Sequence, residues 1–149
     1  GKDGKRTIAF SDFHSLPGEH PHIENTLAPA DLIIAAEIPA LGFAANSTYV
    51  KVRDRSSFDF ALASAAVALD VQAGSVKYAR IALGGVGTKP WRALAAEQAL
   101  IDKPATMSHF ELAADEELKN AKTTLYNSFK KELAKRTLIS ALQKTGGMV

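Results

Sequence analysis

Apolar and charged residues alternate from Tyr49 to Arg53, the period of a half-buried strand. Beyond it Phe58, Ala61, Leu62, Ala65 and Ala66 recur at helical spacing. Ser56 followed three residues later by Asp59 is a capping-box pattern, so an Ala-rich helix is expected to open near Ser57. It should give way to a strand around Ala66 to Val71. Gln72-Ala73-Gly74-Ser75 is a turn signal, and Val76 to Val86 reads as a further strand with Val76, Tyr78 and, less regularly, Ile81 and Leu83 inward. The two runs and their turn predict a β-hairpin.

Upstream, Arg6 to Phe10 reads as a short strand, and Ser11 to Asn25 as a turn-rich stretch holding Pro17, Gly18 and Pro21. Leu32 to Ile38 is a nearly continuous apolar run closed by Pro39, the pattern of a buried strand. Ala40 to Ser47 is a small-residue loop. Downstream, helices are expected over Ala93 to Ile101 and over Met107 to Ala121, with Ser108 as the cap of the second. Leu125, Phe129, Leu133 and Thr137 at four-residue steps, joined by Leu138 and Leu142, predict a third helix stopped by Gly146-Gly147. The order predicts an α+β fold: a small three-stranded antiparallel sheet packed on a three-helix bundle.

The 149 residues suffice for a domain with a real core. Lys and Arg (18) nearly balance Asp and Glu (16), a net charge of +2, too weak a bias to argue for nucleic acid or an anionic membrane as partner. The absence of cysteine excludes disulfides, thiolate catalysis and cysteine-ligated metal centres within these residues. No apolar run approaches a membrane span, so no membrane insertion is expected. The start Gly1-Lys2-Asp3-Gly4-Lys5-Arg6 is neither a signal peptide nor an initiator-methionine start, and the chain reads as a piece of a longer protein.

Few residues carry chemistry by pattern alone. Lys51 and Arg53 sit beside the expected strand-to-helix corner, where they either hold an anionic or electron-rich ligand or are simply solvated. Gly84-Gly85-Val86-Gly87-Thr88-Lys89 fails the phosphate-loop spacing, so close backbone packing is the better account. His20 and His22 stand near Glu19 and Glu24 in a Pro/Gly loop, where a solvated turn is favoured over a metal site. Lys130, Lys131, Lys135, Arg136 and Lys144 stripe the last helix, interrupted by Glu132, as in most solvated faces. Trp91 is either a pocket wall or a structural anchor. No pair of carboxylates or Ser, His and Asp spacing assigns a catalytic residue, and no metal ligands are assigned.

Three stretches together resemble the flavin-binding subunit of the xanthine dehydrogenase and carbon monoxide dehydrogenase family of molybdenum hydroxylases. They are Asp31 to Pro39, Tyr49 to Ala61 (similar to the family's K-x-x-x-R-x-x-F-D-F-A run) and Ala79 to Ala93. Phe129 to Arg136 is similar to the bacterial aldehyde-oxidising branch.

The resemblance implies a division into residues 1–42, the end of an α+β FAD-binding domain, and residues 43–149, a domain like the CO dehydrogenase flavoprotein C-terminal domain. It implies FAD shared with an upstream half, and partner subunits holding iron–sulfur clusters and the molybdenum cofactor. Electrons would pass from those clusters through FAD to an acceptor, in the cytoplasm, or in the periplasm if a partner carries the assembly there. Two cofactor contacts are implied: Ile33 at the apolar position that packs on the flavin ring, and Lys51 near the ring's polar edge. The competing expectation is a docking module that holds no flavin and binds partner subunits through its helices. Partner affinity independent of FAD would identify it.

Overall fold

The computed structural model describes residues 1 and 4–147, and the chain divides into two compact units, Gly1–Ala40 and Leu41–Val149.

The first unit is built from turns. The strand expected over Arg6 to Phe10 does not form; among the described residues of this unit the helical element is α1 (Phe10–Phe13). Ser15 N donates to Glu24 O and Thr26 N to Phe13 O, closing the turn-rich stretch on itself around an isolated bridge between His14 and Asn25. Asp31 ties the base of this loop: its Oδ2 accepts from Arg6 Nη2 at 2.7 Å and from Ala28 N at 3.0 Å. Those two donors, the Ala28 amide first and then the Arg6 guanidinium, hold the Asp31 carboxyl below its ordinary range. The expected buried strand over Leu32 to Ile38 does not form; the run is irregular and exposed, with Ile38 at 90%. An apolar run becomes a strand only when neighbouring strands satisfy its backbone, and among the described residues none pairs with it.

The second unit holds the sheet and the helices. Strands β1 (Ser47–Val52), β2 (Ala63–Gln72), β3 (Ser75–Gly84) and β4 (Trp91–Arg92) form an antiparallel meander in sequence order. Helices α2 (Leu94–Leu100), α3 (Met107–Leu118) and α4 (Phe129–Thr145) cover one face: α4 lies across β2 and β1, α2 lies against β3, and α3 packs on both other helices. The α+β architecture is as expected, with a fourth strand added. Trp91–Arg92 is too short to show a period, and its pairing with Ala82 and Leu83 comes from the turn that precedes it.

The expected Ala-rich helix is absent. Residues 53–62 are bends and irregular backbone, and β2 begins at Ala63. Alanine favours a helix in isolation, but β2 is hydrogen-bonded on both sides, by β1 and β3, and that tertiary pairing overrides propensity. Ala63, Ala65, Val67 and Leu69 face the helices and are buried. The hairpin turn falls where predicted, with Ala73 (φ 48) and Gly74 (φ 78) both left-handed as a tight two-residue connection requires. Tyr78 is exposed rather than inward. The register shifts between Asp70 and Val71, leaving Lys77 as the extra residue of a bulge, so Val76 and Ala79 both point inward while Tyr78 turns out and stacks on Phe43.

The N-cap position of α3 falls on Thr106 rather than Ser108, and the Thr106 hydroxyl meets the Ser108 hydroxyl and His109 Nδ1 instead of a backbone amide. α4 starts at Phe129, which leaves Leu125 outside it and exposed; Thr137, Leu138 and Leu142 are buried as expected. The helix ends at the predicted glycines. Gly146 N donates to Leu142 O, and a Cβ there would meet the Phe110 ring at 3.0 Å. Among the described residues no buried side-chain nitrogen or oxygen lacks a partner.

Candidate functional site

Lys51 lies on the solvent-facing side of β1, near the end of the strand and next to the loop of residues 53–62. Its ammonium donates to Asp59 O at 2.5 Å and stands 6.0 Å from the Phe58 ring centroid. The loop that supplies this carbonyl is organised by its own side chains. Arg55 donates through Nε and Nη2 to Phe58 O, at 3.2 and 2.7 Å, and lies 3.8 Å from the Asp59 carboxylate. Asp59 Oδ1 accepts from Phe60 N. Asp59 of the capping-box pattern, with Arg55, therefore shapes a folded loop rather than a helix start. Phe58 and Phe60 project from it almost fully exposed.

The far end of the loop is clamped from two directions. Leu62 N donates to Val52 O at 2.8 Å, closing the stem. Lys130, in the first turn of α4, donates to Leu62 O at 3.1 Å and to Gly85 O at 2.8 Å. Gly85 has φ +73, and a Cβ on it would lie 2.7 Å from Ala61 O. The glycine cluster is thus the close backbone packing expected of it. A side chain on Gly85 itself would not fit against the loop.

Two further carboxylates, Glu97 and Glu117, are structural. Glu97, nearly buried, accepts the Ile81 amide at 2.7 Å and a two-pronged contact from Arg92 Nε and Nη2, with Arg80 3.8 Å away. The Glu97 carboxylate pushes the Arg92 guanidinium above its ordinary range. Trp91 Nε1 donates to Glu117 Oε1 at 2.7 Å, and Glu117 Oε2 accepts the Ala96 amide. Trp91 is therefore an anchor joining β4 to α3. The role of Glu97 is not legible in the sequence, because the Ile81 amide and Arg80 that it meets lie on a strand more than fifteen residues away, and no motif pairs it with Arg92.

Two cations of the α4 basic stripe pair with carboxylates at the surface. Lys135 pairs with Asp115 at 2.5 Å, which raises the Lys135 pKa, and Arg136 pairs with Glu132 at 2.7 Å. His20 and His22 meet edge to face at 5.9 Å, and among the described residues no group of three or more metal-ligating side chains converges. No helix among them is long and apolar enough to cross a membrane.

Of the two residues singled out for a cofactor, Ile33 lies in the irregular run of the first unit, 61% exposed, and Lys51 in the second unit, exposed and held by its loop. An exposed aliphatic side chain suits the flat apolar face of an aromatic ring system, and a fixed cation suits an electron-rich edge.

Residues 48–145 match the family model of the CO dehydrogenase flavoprotein C-terminal domain. The chain is 43% identical over 142 residues to the aldehyde oxidoreductase FAD-binding subunit PaoB of Escherichia coli K12, covering 94% of this chain and 41% of that protein. It is 32% identical over 101 residues to the glyceraldehyde dehydrogenase medium chain of Sulfolobus acidocaldarius, covering 67% of this chain and 33% of that one. The chain thus spans well under half the length of these relatives. Its fold is shared with a chain of the reconstituted CO dehydrogenase from Oligotropha carboxidovorans, with a TM-score of 0.83 at 21% identity over all of this chain and 51% of that one.

Proposed function

The chain belongs to the family of CO dehydrogenase flavoprotein C-terminal domains, and from that premise we propose that it is the C-terminal part of an FAD-binding subunit of a molybdenum-containing aldehyde or xanthine-type oxidoreductase. The observation that carries this reading is the 43% identity to an FAD-binding subunit along 94% of the chain. In this reading residues 1–42 complete an FAD-binding domain whose remainder lies upstream, and residues 43–149 form the C-terminal domain. Partner subunits hold the iron–sulfur clusters and the molybdenum cofactor, and the assembly works in the cytoplasm.

FAD, when bound, supplies two-electron redox chemistry and passes electrons onward to an acceptor. The residues of this chain do the rest. Ile33 excludes water from one face of the ring. Lys51 places a positive charge near the ring's polar edge, favouring negative charge there, and the Asp59 carbonyl fixes where that ammonium sits. Without the upstream half, the chain holds FAD weakly, because these two contacts bury little of so large a ligand.

In the full-length subunit, Lys51→Ala is expected to lower the flavin midpoint potential or slow electron transfer, with the urea unfolding midpoint unchanged. A change in stability alone would reduce Lys51 to a loop anchor. A full-length subunit that folds, assembles and stays colourless would sink the flavin reading as a whole.

A further inference from the structure

We infer that Lys130 is a positioning residue for Lys51: from α4, it holds the loop whose carbonyl fixes the Lys51 ammonium. The functional half of this inference rests on the flavin reading of Lys51; the geometric half does not.

The connection can be followed bond by bond. Lys51 Nζ depends on Asp59 O for its place. Asp59 lies three residues before Leu62, and Leu62 is where the loop rejoins the sheet, its amide on Val52 O and its carbonyl on Lys130 Nζ. The same ammonium takes Gly85 O, in the turn that follows β3. One side chain thus joins three segments far apart in sequence: the Lys51 loop, the glycine turn and the last helix. The loop and the glycine turn lie too close for a Cβ at Gly85, and Lys130 ties the helix to both.

The position of Lys130 on its helix supports the same conclusion. A cation in the first turn faces the positive end of the helix dipole, an unfavourable place for it. Lys135 and Arg136, further along α4, pair with carboxylates as surface cations ordinarily do. Lys130 instead reaches two backbone carbonyls, whose dipoles offset the opposition of the helix. Its place on α4 is explained by the loop, not by the helix.

The test uses the full-length subunit with Lys130→Met, which keeps the apolar stem, Lys130→Arg, which keeps a donor for both carbonyls, and Lys131→Met as a neighbouring control. Limited trypsin cleavage at Arg53 and Arg55 reads the loop directly. Lys130→Met should be cut at least tenfold faster than the parent, and the Arg variant and the control within twofold of it. The flavin potential should move in Lys130→Met in the same direction as in Lys51→Ala, and return in Lys130→Arg. Parental cleavage of the Met variant overturns the inference. So does faster cleavage with an unmoved potential when Lys51→Ala moves it. If Lys51→Ala itself leaves the flavin unaltered, the flavin role of Lys51 fails, and the cleavage rate alone decides whether Lys130 holds the loop. Should the Met variant not accumulate, Lys130→Gln takes its place with the same outcomes.

Discussion

Leu32 to Ile38 and β2 are both apolar runs, and the structure treats them in opposite ways. The first holds three isoleucines, good strand formers, yet it is irregular and exposed. The second is rich in alanine, a helix former, yet it is a ten-residue strand at the centre of the sheet. The difference lies in the neighbours. β2 has a hydrogen-bonded strand on each side and α4 across its face. Among the described residues the first run has no partner strand. Apolarity sets how much a segment gains by burial; pairing decides whether it can be buried as a strand.

Core truncation should separate the two runs most widely. Leu69→Ala in β2, at a fully buried position, is expected to cost about 2–5 kcal/mol. Ile38→Ala in the first run should stay within about 0.5 kcal/mol in the isolated chain, as exposed positions do. Urea midpoints at unchanged slope measure both. In the full-length subunit the comparison sharpens: Ile38→Ala should become costly there if an upstream segment pairs with this run. An equal cost for the two substitutions in the isolated chain would erase the contrast.

Gly85→Ala probes the backbone at the edge of the sheet, with an expected loss of about 1–3 kcal/mol from the left-handed conformation alone. The contact with Ala61 O adds to it. Gly18→Ala in the first unit is also left-handed but meets nothing within 4 Å, so it should lose less. Reversing that order would show that the clamp around Leu62 is loose.

Acid titration gives the smallest effect, one carboxylate in each unit. Asp31 is lowered by the Ala28 amide and then Arg6, and Asp102 by Lys77. A lowered folded-state pKa contributes stability that is present above the ordinary Asp value, about 3.9, and is lost as pH falls through the folded value. Both should therefore titrate below about pH 4 by NMR, where Asp carboxyls ordinarily titrate. Asp31→Asn should loosen the first unit, and Asp102→Asn should leave it unchanged.

Much of the second unit is readable from residue order, because its determinants are local. Ala73-Gly74 marks the hairpin, Gly146-Gly147 marks the end of α4, and the spacing of Thr137, Leu138 and Leu142 marks its buried face. The errors arise where distant partners decide. Phe58 to Ala66 carries a helical spacing that the flanking strands override, and Tyr78 is turned by a bulge that no spacing announces. The candidate site divides the same way. Lys51 is identified by resemblance, but the contacts that hold it come from Asp59 and, through Leu62, from Lys130, seventy-nine positions further along the chain. Glu97 and Glu117 are equally silent in the sequence, since each joins a backbone amide to side chains that only the fold brings together.

The bulge at Lys77 has a consequence at the level of the gene. Removing that one codon would leave Val76 inward, Tyr78 outward and Ala79 inward, a strand of unbroken alternation with its core intact. What the deletion would take away is the ammonium that meets Asp102 at 2.7 Å, on the connection between α2 and α3 whose Lys103 and Ala105 are hydrogen-bonded to Val76 and Gly74. The extra residue is thus an insertion that the sheet does not need. What it adds is one solvent-exposed ion pair at a junction that three backbone hydrogen bonds already make.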